Sequence, residues 1–217
     1  MSLIQRQPRP LVRDAQTYRD DRLFIVACDD TYAPKQYFDF FRIPRVQVHV
    51  VPTEDGTSAA PHVLERLLRI EHEADDELWL LLDTDHCLQG THLAGFIQAL
   101  RDARQQGVNV ALSRPSFELW LLLHHVDEAA LGNLLSARDV ELRLREVLGE
   151  YNKTRLKPEH YPIANVREAC ARAERLDATA AGGEIPQANT TRVYRLVKAI
   201  VSSALLQQLP PELRSLR

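Results

Sequence analysis

Bulky apolar runs alternate with amphipathic segments through residues 22–125 of this 217-residue chain. The runs have the length and side-chain type of β-strands, whereas the segments between them repeat apolar residues at helical spacing. This alternation predicts a mostly parallel sheet with right-handed crossovers and helices on both faces. The predicted strands are Arg22–Cys28, Val46–Val51, 77–82 and 108–112, and the predicted helices are 32–41, about 59–71 after an N-cap at Ser58, 91–106 before Gly107, and 117–125 after an N-cap at Ser116.

The third run is the most apolar, and it ends abruptly at Asp83 and Asp85. Its composition is typical of a strand buried on both faces in the middle of a parallel sheet. Side chains alternate along a strand, so both carboxylates are expected on one side of its carboxyl end, where ligands bind in open α/β sheets. Paired oxygen ligands favour Mg²⁺ or Mn²⁺. The same spacing is also found in turns that cap a helix.

Other carboxylates are expected at the same edge of the sheet. Asp29 and Asp30 follow the first strand, and Glu118 stands just past the fourth. Like charges placed together destabilise a fold unless a cation joins them, so their convergence favours a metal site with Asp29, Asp83 and Asp85 as ligands. Glu118 has an alternative role, because an acid in the first turn of a helix interacts favourably with the helix dipole.

The pattern becomes wholly helical from about Asp127. Helices are predicted over 131–148, 164–176 and 190–206, with a flexible connection over 177–187 and no strand. The domain organisation predicted from these patterns is a flexible lead-in at 1–20, an α/β core at 21–126 and a helical region at 127–217 that packs on the core.

Composition narrows the class of protein. No run approaches the ~18 apolar residues of a membrane span. Three cysteines without Cys-x-x-Cys spacing argue against a disulfide framework or a zinc site and favour a cytoplasmic location. The formal net charge of −3 gives no general attraction to nucleic acid, so any such contact must come from a local patch.

Several segments resemble known proteins. An acid after the first strand and Asp-x-Asp after the third look like the Toprim domain of topoisomerases, primases and OLD-type nucleases. The stretch Ser-Arg-Pro-Ser-Phe-Glu-Leu-Trp-Leu-Leu-Leu-His-His at 113–125 is similar to the Ser-Asn-Pro-Cys-Phe-Glu-Leu-Trp-Leu-Leu-Leu-His-Phe signature of the RloB-like family. Tyr-Asn-Lys at 151–153 and Ala-Asn-Thr-Thr-Arg-Val-Tyr-Arg-Leu-Val at 188–197 also resemble that family. The resemblance covers roughly residues 22–203.

The resemblance implies a bacterial antiphage protein of the abortive-infection or restriction-associated type, with an AAA-type or ABC-type ATPase as partner. It also implies a Toprim-like fold and a Mg²⁺-dependent nuclease acting on DNA or RNA, tRNA included. Asp29 or Asp30 would then be the catalytic acid or base, together with Glu118. Lys153 and Arg155 are candidate phosphate contacts, and an oligomer is compatible with the sequence.

The chain departs from the family pattern at the expected catalytic position. Cys28-Asp29-Asp30 stands where the family usually has Cys-Glu-Gly, so the acid is one methylene shorter. Either Asp29 or Asp30 acts from a shifted backbone, or the site binds metal and cuts poorly. The missing glutamate and the net negative charge favour one alternative function, a regulatory or scaffolding subunit of a defence ATPase complex. A second alternative is another metal-dependent phosphoryl-transfer enzyme such as a phosphatase, since Asp-x-Asp also serves there.

Overall fold

A computed structural model describes residues 22–30, 32–53, 57–85 and 92–217, and the predicted lead-in at 1–20 lies outside these residues. Five strands form one sheet in the order β2-β1-β3-β4-β5. The first four are parallel, and β5 is antiparallel to β4. The predicted α/β architecture, a mostly parallel sheet flanked by helices and consistent with a Toprim-like arrangement, is confirmed. The strands are β1 (Arg22–Cys28), β2 (Val46–Val51), β3 (Glu77–Asp83), β4 (Asn109–Arg114) and β5 (Thr190–Thr191).

Helices cover both faces of the sheet. They are α1 (Tyr32–Asp39), α2 (Ala60–Leu68), α3 (His92–Gln105), α4 (Glu118–Leu122), α5 (Ala137–Leu148), α6 (Ile163–Thr179) and α7 (Val193–Ser203). Short 3₁₀ helices span Glu128–Ala130, Pro158–His160, Leu206–Gln208 and Pro211–Leu216. The core has two parts: α2 and α3 pack on one face of the sheet, and α1, α4, α5, α6 and α7 pack on the other.

The central strand β3 is buried on both faces, as its apolar sequence predicts. Trp79 and Leu81 lie in the core on the α1 and α4 face, whereas Leu80 and Leu82 lie with α2 and α3. Because side chains alternate along a strand, Asp83 is on the same side as Trp79 and Leu81. The carboxylate that ends β3 is therefore directed to the face covered by α1 and α4.

The prediction of an all-helical region after residue 127 is wrong at β5. Thr190 and Thr191 pair with Arg114 and Ser113, and the hydroxyl oxygens of Ser113 and Thr191 are 2.9 Å apart. The helix predicted over 190–206 begins only at Val193 and ends at Ser203. Two polar residues give no apolar run, so the hydrophobic pattern does not indicate this strand.

A buried ion pair fixes the chain around β5. The Arg192 guanidinium donates to Asp177 over 2.9 Å, to the Gly183 carbonyl over 2.6 Å and to the Glu184 carbonyl. Tyr194 also donates to the Asp177 carboxylate over 2.8 Å. Burial opposes the ionisation of Asp177, but these donors lower its pKa below the usual value. The segment resembling the family at 188–197 therefore has a structural role.

Two predicted helix caps are wrong. The N-cap of α2 is Ala59 and that of α4 is Phe117, and neither caps with a side chain, whereas Ser58 and Ser116 had been expected. The apolar stretch predicted as a helix over 117–125 is α-helical only to Leu122. All five residues of α4 are buried, as the sequence predicts.

Candidate metal and catalytic site

The carboxyl ends of β1 and β3 form a topological switch point. The two strands are neighbours, but the chain passes from β1 to β2 on one side and from β3 to β4 on the other. Connections that leave in opposite directions open a crevice in which ligands of α/β proteins bind. Asp29 follows β1 directly and Asp83 is the last residue of β3, so both border this crevice.

Asp29 and Asp83 are joined by a hydrogen bond. The Asp83 amide donates to Oδ2 of Asp29 over 2.9 Å, and the Asp30 amide donates to Oδ1 over 3.0 Å. Burial raises the pKa of Asp29 to about 6, even though both amides stabilise its ionised form. The Asp29 carboxyl group thus titrates close to neutral pH.

The other acidic residues of the site all act on the pKa of Asp83. Burial raises the pKa of its carboxyl group well above the usual value, and so do the neighbouring charges of Asp29, Glu118, Asp85 and Asp30, in that order of size. The structure therefore brings all five predicted acidic residues into electrostatic contact. Each carboxylate disfavours the ionisation of Asp83, which a bound cation would reverse.

The turn that carries Asp85 is fastened to the chain that leads into α4. The amides of Thr84 and Asp85 both donate to the Pro115 carbonyl, over 3.2 and 3.3 Å. The Thr84 amide also lies 3.0 Å from the Ser113 carbonyl. These bonds set the end of β3 beside the start of α4, and so bring Asp83 and Glu118 together.

Glu118 lies in the first turn of α4 and is only 5% exposed. The Tyr151 hydroxyl donates to its Oε1 over 2.9 Å. Burial raises the pKa of Glu118, and the hydrogen bond from Tyr151 opposes that rise. Tyr151 is a site residue that reasoning from spacing missed, and the signal for it is the Tyr-Asn-Lys segment that resembles the family.

Lys153 binds Asp30 rather than standing free for a phosphate. Its Nζ is 2.9 Å from Oδ2 of Asp30, and this hydrogen bond raises the pKa of Lys153. Gln36 on α1 donates to the Lys153 carbonyl over 2.9 Å and accepts from the Leu156 amide over 2.8 Å. These bonds hold the connection between α5 and α6 against α1, beside the acidic site. Arg155 lies in this connection and lines a cavity beside Tyr151.

Arg66 is a second residue that the sequence did not indicate. From α2 its guanidinium donates to the Cys28 carbonyl over 3.1 Å and to the Thr57 carbonyl over 3.3 Å. This places a positive charge at the end of β1, next to Asp29. A single arginine on an amphipathic helix carries no signal that separates this position from a solvated one.

His124 belongs to the core. It is buried, and its Nε2 is 3.1 Å from the Tyr37 hydroxyl. Burial lowers the pKa of His124 to about 3, so the ring is neutral at physiological pH. Trp120 and Tyr161 pack edge-on against it. These contacts account for the buried position of His124, so a role in the acidic site is not needed to explain it.

The donor set fits a divalent cation that keeps part of its water shell. Among the described residues, no group of three or more His, Cys, Asp or Glu side chains is arranged to hold a metal ion. Mg²⁺ is commonly bound by one or two carboxylates together with waters and substrate phosphates. Asp29 and Asp83 supply two carboxylate groups with hard oxygen atoms at one crevice, and so meet that requirement.

Removing the Tyr151 hydroxyl should cost stability. We expect Tyr151→Phe to lower the free energy of unfolding by about 1–2 kcal/mol, because the buried Glu118 carboxyl group loses a hydrogen-bond donor. Urea unfolding at neutral pH measures this change. Tyr32→Phe is the matched control, since Tyr32 is 61% exposed, and it should leave the unfolding midpoint unchanged. Equal midpoints for both variants would contradict the importance of the Tyr151 bond.

Comparison with known proteins gave one finding. A family model with the description RloB-like protein matches residues 24–200, which include all the acidic residues of the site. Neither the search of curated proteins nor the search of solved structures gave a match. In the part of the chain that the structure describes, every helix is too short or too polar to cross a membrane.

Proposed function

The chain belongs to the RloB-like family, and we propose that it is a divalent-metal-dependent phosphodiesterase that cleaves DNA or RNA. The observation that carries the proposal is the pairing of Asp29 with Asp83 at the switch point of the sheet. Partly buried carboxylates held together at a ligand-binding crevice are unfavourable unless they serve a cation or a proton transfer.

Asp29 and Asp83 would hold Mg²⁺ or Mn²⁺ together with waters and substrate oxygens, and Asp85, the third predicted ligand, would lie beside the ion without completing a set of three ligating side chains among the described residues. Bound there, the ion supplies Lewis-acid polarisation of a phosphoryl oxygen. Asp83 is the central ligand in this proposal, because the charges of the other acids converge on it. Asp85 is positioned by the bond from its amide to the Pro115 carbonyl.

Asp29 is the best-suited proton acceptor of the site. In the metal-free protein burial raises the pKa of Asp29 to about 6, and a bound cation would lower it, so the Asp29 carboxylate would be ionised and able to accept a proton at neutral pH. Asp30 is less suited, since its Oδ2 is held by Lys153 and its Oδ1 accepts from the Tyr32 amide. Glu118, with a raised pKa and a hydroxyl donor at Oε1, is the candidate to protonate the leaving oxygen.

We also propose that the protein acts in antiphage defence, in the cytoplasm and together with an ATPase. The support for this role is the resemblance to the RloB-like family. The net charge of −3 gives no general attraction to nucleic acid, so a partner would bring the substrate to the site.

A scaffolding subunit is the second candidate. Its support is the Lys153–Asp30 pair, which occupies one acid of the site with a cation from the chain itself.

The proposal is tested by incubating purified protein with single-stranded DNA, duplex DNA, total RNA and tRNA. Each substrate is offered in Mg²⁺, in Mn²⁺ and in EDTA, with and without any ATPase that a neighbouring gene encodes. We expect cleavage of at least one substrate that EDTA abolishes. Absence of cleavage under all conditions, with phage protection retained by Asp83→Asn cells, would establish the scaffolding function instead.

A further inference from the structure

A cavity of about 250 Å³ adjoins the acidic site. We call it the Tyr151 cavity, and its walls include Tyr151, Asn152, Arg155, Lys157, His160 and Tyr161. All of these residues belong to the connection between α5 and α6 that Gln36 holds beside the site. The cavity is slightly smaller than the ~300 Å³ at which pockets for drug-sized ligands begin, so it suits a ligand of about one ring system.

The cavity and the acidic crevice share a residue. Tyr151 lines the cavity, and its hydroxyl reaches Glu118. Lys153, two residues later, reaches Asp30. A group bound in the Tyr151 cavity is therefore next to Glu118.

The cavity wall carries charges of both signs. Glu150 lines the cavity and is paired with Lys157, and the charge of Arg155 also helps to lower the pKa of Glu150. Arg155 is exposed and has no ion-pair partner among the described residues. An arginine guanidinium at the mouth of a cavity with tyrosine walls has the chemistry that binds a phosphate and positions the attached base.

Tyr161 completes the wall of the cavity. It is 2% exposed, and its hydroxyl oxygen, which has no hydrogen-bond partner among the described residues, is itself buried and is not open to a ligand. Polar contacts to a bound group must therefore come from the more exposed side chains of the wall.

We propose that the Tyr151 cavity binds one unstacked nucleotide of a single-stranded nucleic acid, adjacent to the phosphodiester in the acidic crevice. Arg155 contacts its phosphate, and the half-buried ring of Tyr151 contacts its base. The substrate class is then single-stranded, because a duplex keeps its bases stacked inside and cannot offer one to a cavity of this size. This inference deepens the proposed function but rests on binding, which is measurable without cleavage.

The test is fluorescence anisotropy with labelled single-stranded DNA, single-stranded RNA and blunt duplex DNA in EDTA, where no cleavage occurs. We expect wild type to prefer the single strands and Arg155→Ala to weaken their binding by roughly tenfold, since one phosphate and one base contact are lost. The salt dependence should become shallower by about one phosphate contact. Comparing DNA with RNA identifies which of the two is the ligand.

Arg101→Ala is the matched control, because Arg101 is an exposed arginine on α3, on the opposite face of the sheet. It should bind like wild type. Equal weakening by the two alanine variants, or duplex binding as tight as single-strand binding, would overturn the proposal. If the Arg155 effect appears but no metal-dependent cleavage is found in any condition, the single-strand site stands and the proposed catalytic function falls.

Discussion

Asp83→Asn is expected to reduce metal-dependent cleavage at least about a hundredfold, because it removes the carboxylate on which the charges of the site converge. Asparagine is nearly the same size, and the Asp83 amide that donates to Asp29 remains. The loss should therefore come from chemistry and not from misfolding. The measurement is the initial rate of cleavage of the best substrate at saturating Mg²⁺.

Asp75→Asn is the matched control for this prediction. Asp75 is exposed in the loop before β3, and its substitution also removes one negative charge. Its cleavage rate should equal that of wild type. If Asp83→Asn retains more than a tenth of the wild-type rate, the Asp83 carboxylate is not a ligand of the catalytic metal and the assignment is wrong.

Asp29→Glu addresses the departure from the family pattern. The longer acid restores the residue usual in the family, so we expect activity that is unchanged or higher. The Asp29 carboxylate accepts from the amides of Asp30 and Asp83, and an added methylene must keep at least one of these bonds. Asp29→Asn, which cannot accept a proton from water, should lose activity. Equal rates for the asparagine and glutamate variants would exclude Asp29 as the base.

The sheet was predictable because each parallel strand carries an apolar run. Residues 24–28 and 78–82 are buried, because β1 and β3 are packed on both faces. A strand packed on both faces needs an uninterrupted apolar run, and such a run is visible in the sequence. β5 was not predictable in this way. It is formed by Thr190 and Thr191, and their pairing depends on Ser113, 78 residues earlier in the chain than Thr191.

The acidic site was predictable in part for the same reason. The rule that ligands bind at the carboxyl ends of parallel strands indicates Asp29 and Asp83 from sequence alone. The contacts from Tyr151 to Glu118 and from Lys153 to Asp30 span 33 and 123 residues of sequence. No periodicity or local spacing connects residues so far apart, so only similarity to a family or a structure can identify them.

Stability should depend on pH through the same carboxylates. The folded protein holds the pKa of Asp29 at about 6, against 3.8 for the solvent-exposed group of the unfolded chain. The corresponding stability is fully present below about pH 4 and is lost as the pH rises through about 6, because the unfolded chain releases its proton first. Each pH unit corresponds to about 1.4 kcal/mol, so the penalty at neutral pH is on the order of 3 kcal/mol.

Asp83→Asn should remove a second penalty of the same sign, that of Asp83 itself, in the metal-free protein. Asp83 also has a raised pKa, and its charge is one of the neighbours that raise the pKa of other groups at the site. We therefore expect the variant to be more stable than wild type at about pH 7.5 in EDTA and to show a shallower loss of stability between about pH 5 and 7.5. Urea unfolding at both pH values measures the two free energies.

Mg²⁺ should reverse the order of the two proteins. A ligand that binds only the folded state stabilises it by about 2.7 kcal/mol at a hundredfold excess over its dissociation constant. Wild type and Asp75→Asn should gain this stabilisation at about pH 7.5, whereas Asp83→Asn should gain little. If all three proteins respond equally to Mg²⁺ and share one pH profile, then Asp83 is only a turn residue at the end of β3. The crevice between β1 and β3 would then need another occupant to account for its carboxylates.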